Sequence, residues 1–284
     1  MSGIDTDPLS ERLRTIAQDS PDLGEAAEIY RRTLLLLRNA DLHVRPSPIT
    51  EDLARERMAA GAPLLRGETL EFDLRVARDL MRALVLGLEE RCVTDLNPVR
   101  SALEEDRLPV SDLLRRAATG DHGYVQNVAR DAGIAPGLLW TLARNTIKPA
   151  LRAWCRQLTP LLHRAGGWEK GYCFICGANA VLGELQGNDQ ARHLRCGQCG
   201  ADWPVRRQLC PHCGNEDHET LSLFYPDRRR ETVRIEGCDR CGGYLKVIAA
   251  FAPTPPEQLA AEDLATLHLD YVAQRLGYER GPVR

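Results

Sequence analysis

The sequence predicts an α+β multidomain protein, with an all-α N-terminal helical domain, two small β modules of the zinc-ribbon type and a C-terminal helix. Apolar residues recur at helical spacing through much of residues 1–166. Eight of the ten cysteines then fall between residues 173 and 241, where this spacing stops. The predicted divisions are a helical domain at 1–166, modules at 171–205 and 206–250, and a closing helix at 256–279 that packs on the preceding domains.

The composition is that of an ordinary globular protein. The 284 residues are 43% hydrophobic and 27% charged with a net charge of −3, which excludes a disordered chain and gives no reason to expect a nucleic-acid or acidic-membrane partner. The N-terminus lacks the apolar core of a secretion signal, and the apolar runs are too short to cross a membrane. We therefore expect a cytoplasmic protein without membrane insertion, in which cysteines serve as metal ligands or redox groups.

The helical domain is predicted from amphipathic segments. Segments 25–42 and 72–92 carry apolar residues at steps of three and four. Segment 137–166 is also helical in pattern, and Pro149 and Pro160 should kink or split it. We expect roughly six to eight helices in this part.

The cysteine-rich part is predicted to form two hairpins. Glycines near residues 166–170 mark the end of the helical domain. Strand-like runs flank the turn sequence GNDQ at 187–190, and a second pair flanks PDRRRE at 226–231. After the proline-rich APTPPEQ, segment 262–278 shows helical spacing again, which indicates the closing helix.

Four C-x-x-C-G motifs predict metal binding. In such a motif both sulfurs can face one ion at about 2.3 Å, and the glycine can adopt the positive φ that turns backbone N–H groups toward the sulfurs. A thioredoxin-like redox motif is the alternative, but it usually occurs singly, at a helix N-terminus. Four copies therefore favour two four-cysteine sites, with the ligands Cys173, Cys176, Cys196, Cys199, Cys210, Cys213, Cys238 and Cys241.

The motifs can be paired sequentially, cross-braced or nested. The spacers after the first and third motifs, of 19 and 24 residues, each contain a hairpin that brings its flanking motifs together. The middle spacer of ten residues, 200–209, has no such turn and contains Pro204. Sequential pairing is therefore favoured, so that the first two motifs form site 1 and the last two form site 2.

The remaining cysteines and histidines are interpreted as structural. Cys92 and Cys155 lie in the helical half and are expected to be buried packing residues. His193, His212 and His218 lie within or near the motifs, but eight cysteines already satisfy two tetrahedral ions. The sequence has no nucleotide-binding loop, Ser-His-Asp arrangement or H-E-x-x-H motif, and a closed four-thiolate site leaves no open position for substrate. We therefore expect no enzymatic activity.

A zinc-ribbon protein that binds nucleic acid is an alternative function, which would require a positive surface. Between residues 166 and 252, eleven acidic and eleven basic side chains balance. Eight thiolates and two divalent ions would leave this part negative. Arg206, Arg207 and the run 228–230 are local basic spots, which we interpret as solvated turn residues, so nucleic acid is not an expected partner.

The order of these features resembles the formate dehydrogenase accessory protein family, FdhE. The resemblance is most specific over about residues 170–280 and includes all four cysteine pairs, the tryptophan after the second pair and the Tyr-Leu-Lys after the fourth. It is carried by GYCFICGANAV, LRCGQCGADWPVRRQLCPHCG, EGCDRCGGYLK and DLATLHLDYVAQRLGY.

The resemblance implies a function that spacing alone does not. Members of this family are cytoplasmic accessory proteins that bind the catalytic subunit of respiratory formate dehydrogenase before its twin-arginine export and assist its maturation. Their two four-cysteine modules are rubredoxin-like, so the resemblance favours two iron ions, with zinc as the alternative. A rubredoxin-like electron carrier or redox sensor is the alternative function. We further expect Trp203, Arg206 and Arg207, in the bridge between the sites, to contact the partner.

Overall fold

The predicted fold class is confirmed. A computed structural model describes residues 7–89, 95–225 and 232–281. The helices are α1 (Pro8–Asp19), α2 (Gly24–Asn39), α3 (Glu51–Ala59), α4 (Leu74–Glu89), α5 (Asn97–Glu104), α6 (Val110–Ala118), α7 (His122–Asp131), α8 (Pro136–Leu158), α9 (Leu161–Arg164), α10 (Leu259–Ala265) and α11 (Leu267–Arg275). The strands are β1 (Leu182–Gln186), β2 (Ala191–Arg195), β3 (Asp202–Pro204), β4 (Leu221–Phe224), β5 (Val233–Cys238), β6 (Gly243–Ala250) and β7 (Glu279–Arg280).

By its contacts the chain divides into two compact units. The first comprises Met1–Val44 and Glu71–Ala150, and the second comprises Arg45–Leu70 and Leu151–Arg284. The second unit therefore contains α3 and the last part of α8 as well as the cysteine-rich part. The boundary drawn from the sequence near residue 166 follows composition, whereas this division follows contacts.

Amphipathic helices build the first unit, and α1 and α7 among them have side-chain caps. The Asp7 carboxylate accepts a hydrogen bond from the backbone N–H of Ser10 at 3.1 Å and caps α1, and Asp121 caps α7 through the N–H of Tyr124 at 3.0 Å. The predicted helix at 72–92 is α4. Residues 90–94, which include Cys92, lie outside the described residues. The buried face of α4 is the one expected from its spacing: Ala77, Leu80, Met81, Leu84 and Val85.

The two prolines of the long predicted helical segment act differently. α8 continues through Pro149, so the segment is not split at this proline. Ala150 and Leu151 are fully buried, so packing compensates for the backbone hydrogen bond that a proline removes. The split occurs at Pro160, because α8 ends at Leu158 and α9 begins after the proline. None of the described helices, α8 included, is long and apolar enough to cross a membrane.

The described strands form one mixed sheet. Its order is β3-β2-β1-β6-β5-β4, and β7 pairs with β6. The first predicted hairpin is β1 and β2, paired from Leu182↔Arg195 to Gln186↔Ala191. The second is β4 and β5, and its turn at 226–231, with the arginine run 228–230, lies outside the described residues.

Strand β6 joins the two hairpins, which the sequence analysis did not foresee. It pairs antiparallel with β5 and parallel with β1, from Gly183↔Val247 to Gln186↔Ala250. The two predicted modules therefore share backbone hydrogen bonds. No short turn marks a parallel pairing between strands so far apart in sequence, so the pattern gave no local signal of it.

The closing segment forms two short helices, α10 and α11, where one was expected. They meet at Thr266, whose hydroxyl donates a hydrogen bond to the Glu262 carbonyl at 2.8 Å. Leu269 of α11 is fully buried and belongs to the same apolar cluster as Ile235 and Tyr244 of the sheet. This cluster fastens the end of the chain to the sheet beside the fourth cysteine motif.

Candidate metal centres

All four C-x-x-C-G motifs fold into the same tight turn. In each, the glycine N–H donates to the carbonyl oxygen of the first cysteine at 2.8–2.9 Å. The glycines have φ between +67° and +82°, in the left-handed region that side chains disfavour. They are Gly177, Gly200, Gly214 and Gly242.

The eight cysteines lie in two groups of four, and the sulfur atoms of each group are all within 4.8 Å of one another. The first motif lies with the second and the third with the fourth, which is the sequential arrangement favoured by the spacers. The first centre is Cys173, Cys176, Cys196 and Cys199, and the second centre is Cys210, Cys213, Cys238 and Cys241.

The spacing of the sulfurs fits one tetrahedral ion in each centre. Sulfur–sulfur distances between the two motifs of a centre are 3.4 and 3.6 Å in the first centre and 3.7 and 3.8 Å in the second. A tetrahedron with metal–sulfur bonds of about 2.3 Å has edges of about 3.8 Å. The two groups could therefore hold two metal ions.

N–H groups of the chain point at sulfurs of both centres. The backbone N–H of Ile175 donates to Cys173 Sγ at 3.4 Å, and the N–H of Cys199 donates to Cys196 Sγ at 3.4 Å. In the second centre the side-chain amide of Asn215 lies 3.5 Å from Cys238 Sγ. Such donors stabilise thiolate ligands. The sequence analysis missed Asn215, although it directly follows the third motif.

Because the first centre is buried, several of its thiols cannot be ionised at the same time unless a cation lies among them. Burial raises the pKa of Cys173 and Cys199 well above the ordinary range. Hydrogen bonds from the Cys173 and Cys176 thiols lower the pKa of Cys196, so one thiolate can be held by its neutral neighbours. Four thiolates this close together, three of them on buried residues, require a positive charge among them, which a bound divalent ion would supply.

A segment from the helical half covers the first motif. The backbone N–H groups of Leu64 and Leu65 donate to the carbonyls of Phe174 and Ile175 at 2.7 and 2.9 Å. Phe174 and Ile175, the two residues inside the motif, are fully buried. One side of the first centre is therefore closed by residues far earlier in the chain.

The loop before α10 covers the second motif. Pro256 lies so close that a Cβ added at Gly200 would be 2.5 Å from its side chain. Two arginines hold this loop: Arg152 of α8 donates to the Pro256 carbonyl at 3.1 Å, and Arg195 of β2 donates to the Thr254 carbonyl at 2.6 Å. The first centre is therefore closed on this side as well.

A further thiol lies beside the first centre. Cys155 of α8 is buried, as expected, and its thiol is hydrogen-bonded to that of Cys199, which lowers the pKa of Cys155. It also lies 3.6 Å from the Thr159 hydroxyl. Its contact with the centre was not foreseen, because nothing in the pattern of α8 distinguishes this cysteine from a packing residue.

The second centre is open on one side. Cys210 and Cys238, the first cysteines of their motifs, are buried, whereas Cys213 and Cys241 are exposed. His212 directly precedes Cys213 in the third motif, and its Nε2 lies 2.9 Å from the Tyr244 carbonyl oxygen. The covered side thus faces the sheet and the open side carries the second cysteine of each motif.

The histidines near the motifs are not among the candidate metal ligands of the described residues. Among the residues that the structure describes, neither group of candidate ligands includes a histidine. His193 Nδ1 lies 2.6 Å from an oxygen of Asp202, and His212 is directed to a backbone carbonyl. These placements agree with the interpretation of the histidines as non-ligands.

The bridge between the centres contains the three predicted partner contacts. Trp203 is fully buried, and its indole N–H donates to the Lys170 carbonyl at 2.9 Å. Arg206 is exposed and pairs with Glu216 at 2.7 Å, and Arg207 donates to the carbonyls of Asp189 and Gln190. The tryptophan has a packing position, so the exposed part of this predicted contact is the arginine pair.

A buried charge cluster, missed by the sequence analysis, lies after the fourth motif. The Lys246 ammonium is buried and lies 2.7 Å from carboxylate oxygens of both Asp263 and Asp270. The Tyr244 hydroxyl donates to Asp270 at 2.6 Å. The Tyr-Leu-Lys sequence therefore connects the sheet below the second centre to α10 and α11.

Three comparisons with known proteins each find a similarity to FdhE proteins. Residues 205–284 match the family model "FdhE, C-terminal domain". "Protein FdhE" of Escherichia coli O127:H6 is 28% identical over 281 residues, which cover 96% of this chain and 85% of that protein. "Protein FdhE" of Escherichia fergusonii is 27% identical with the same coverage.

A solved structure shows the same fold. The crystal structure of the FdhE protein from Pseudomonas aeruginosa matches with a TM-score of 0.62 and 22% identity, over 96% of this chain and 92% of that chain. The resemblance to the FdhE family that the motifs indicated is thereby confirmed.

Proposed function

We propose, on the basis that this chain is an FdhE-family protein, that it is a cytoplasmic accessory protein for the maturation of a respiratory formate dehydrogenase. It binds the catalytic subunit of that enzyme before twin-arginine export and acts as a chaperone without enzymatic activity of its own. Each of the two centres holds one metal ion, and the four cysteines of each centre are the ligands of its ion.

One observation carries this proposal. Likeness to proteins named FdhE extends over 96% of the chain, and the chain keeps two complete four-cysteine groups in that context. A non-catalytic role is supported by the centres themselves, because four thiolates fill the coordination of a tetrahedral ion and leave no position for substrate.

The metal ions have a structural task in this proposal. A bound ion supplies the positive charge that lets four thiolates lie together, and it ties two distant motifs into one unit. Four thiolates suit both iron and zinc, and the resemblance favours iron. Electron transfer is a second candidate function, favoured by the exposure of Cys213 and Cys241 at the second centre.

The proposal is tested by capture of the full chain from cells that make formate dehydrogenase. We expect the catalytic subunit to be recovered with the tagged protein and identified by mass spectrometry, together with two metal ions per chain after anaerobic purification. A variant with Arg206→Ala and Arg207→Ala tests the bridge as the contact, and an unrelated tagged protein is the control. Failure to recover the subunit under both aerobic and anaerobic growth would refute the proposal, and a reversible redox couple would favour electron transfer.

A further inference from the structure

We propose that the two centres differ in access: the second centre exchanges its metal ion with solution and is modified by soft electrophiles at Cys213 and Cys241, whereas the first centre retains its ion. This inference rests on the proposed function only in that both centres hold a metal ion.

The exposure of the sulfurs is the first observation. Cys213 and Cys241 are exposed in the second centre, whereas in the first centre Cys173, Cys196 and Cys199 are buried and Cys176 is partly buried. An incoming chelator or thiolate-preferring ion must contact the metal or a sulfur before the resident ion departs. The second centre offers two sulfurs for this contact.

The glycines of the motifs show what causes the difference. A Cβ added at Gly200 would lie 2.5 Å from Pro256, and one added at Gly177 would lie 3.0 Å from Pro63. At Gly214 and Gly242, the equivalent positions of the second centre, an added Cβ would meet nothing within 4 Å. The same turn is therefore covered by chain in the first centre and open in the second.

The cover of the first centre is fastened by buried interactions. The loop that contains Thr254 and Pro256 is held by Arg195, which also pairs with Glu184 at 2.5 Å, and both of these charged side chains are at most 2% exposed. Release of metal from the first centre therefore requires local unfolding of this cover. The second centre requires no such step.

The exposed sulfurs also define a modification site. A thiolate attacks an alkylating reagent such as iodoacetamide by forming a sulfur–carbon bond as iodide leaves, and the alkylated sulfur is a poor metal ligand. Cys213 and Cys241 are the two ligands placed for this reaction. The first centre, with its cover in place, reacts only after opening.

The first test measures metal release from the zinc-loaded full chain with a chelator and a zinc-responsive dye. We expect one equivalent to be released rapidly and one slowly, with rates that differ by at least about tenfold because only the slow step includes opening. Cys213→Ser should remove the rapid equivalent. The matched variant Cys176→Ser should remove the slow one and keep the rapid one.

The second test needs no variant. Brief treatment of the zinc-loaded protein with iodoacetamide, followed by peptide mass spectrometry, should modify Cys213 and Cys241 well before any cysteine of the first centre. Two equivalents released at one rate, or equal alkylation of both centres, would overturn the inference. Fewer than two zinc ions per chain at the start would instead contradict the proposed function.

Discussion

At the scale of residues, a fifth sulfur lies beside the four of the first centre, because Cys155 is hydrogen-bonded to Cys199. When Cys199 binds a metal as a thiolate it can only accept a hydrogen bond, so Cys155 must then donate its S–H. Donors of this kind orient a ligand and moderate its charge. Cys155 is therefore a positioning residue for the first centre.

We expect Cys155→Ala to weaken metal binding by the first centre by about 10–100-fold, because an outer donor to a ligand is lost. Competition with a chelator of known affinity measures this change. Cys155→Ser keeps a donor and should retain most of the affinity. Equal affinity of the wild-type and Ala proteins would show that the thiol only packs.

Residues that belong to a local motif could be predicted from the sequence, whereas residues that depend on distant partners could not. The eight cysteines and their glycines are signalled by four copies of one short pattern, since the turn is formed within five residues. Cys155 and Lys246 acquire their roles from partners distant in sequence. A single sequence carries no sign of such contacts, so both had to be seen in the structure.

At the scale of elements, the two closing helices are held to the sheet by a buried ion cluster. Lys246 of β6 lies between Asp263 of α10 and Asp270 of α11, and Arg280 of β7 pairs with Asp263 from outside. One ammonium thus serves two helices, which explains why a lysine stands within the buried part of β6.

Lys246→Met should destabilise the protein by about 3 kcal/mol, since it removes a buried ammonium from Asp263 and Asp270 while Arg280 stays beside both carboxylates. Chemical unfolding measures the change. The control is Arg206→Ala, which removes an exposed ion pair with Glu216 and should cost about 0–1 kcal/mol. A change for Lys246→Met no larger than that of the control would contradict this account of the cluster.

Elements formed by neighbouring residues were the predictable ones. The hairpin at GNDQ and the buried face of α4 follow from local patterns. The continuation of α8 through Pro149 depends on burial around the proline, and the pairing of β1 with β6 depends on a crossover. Both results come from packing between distant segments, which local propensity does not encode.

At the scale of the whole molecule, the two compact units differ in their content of candidate metal ligands. The first unit is a set of helices with apolar faces, whereas the second contains both sulfur groups. Small modules with little apolar core rely on bound metal for their folding. The metal ions should therefore matter to the second unit far more than to the first.

Removal of both metal ions should destabilise the second unit and leave the first unit largely unaffected. We expect residues 173–241 to lose protection from hydrogen exchange in the metal-free protein, while α1, α2 and α4 of the first unit keep theirs. Hydrogen-exchange mass spectrometry of the loaded and metal-free full chain measures this. Unchanged protection across 173–241 would mean that the sulfur groups need no metal for folding.

The cover over the first centre has a consequence for biosynthesis. The fourth cysteine of this centre, Cys199, is made before Val247 of the strand that pairs with β1 and before the covering residue Pro256. Because chains fold as they emerge from the ribosome, the first centre passes through a stage in which its sulfurs are assembled and uncovered. We therefore expect the first centre to bind its ion during synthesis, from the metals available before the covering residue Pro256 is made.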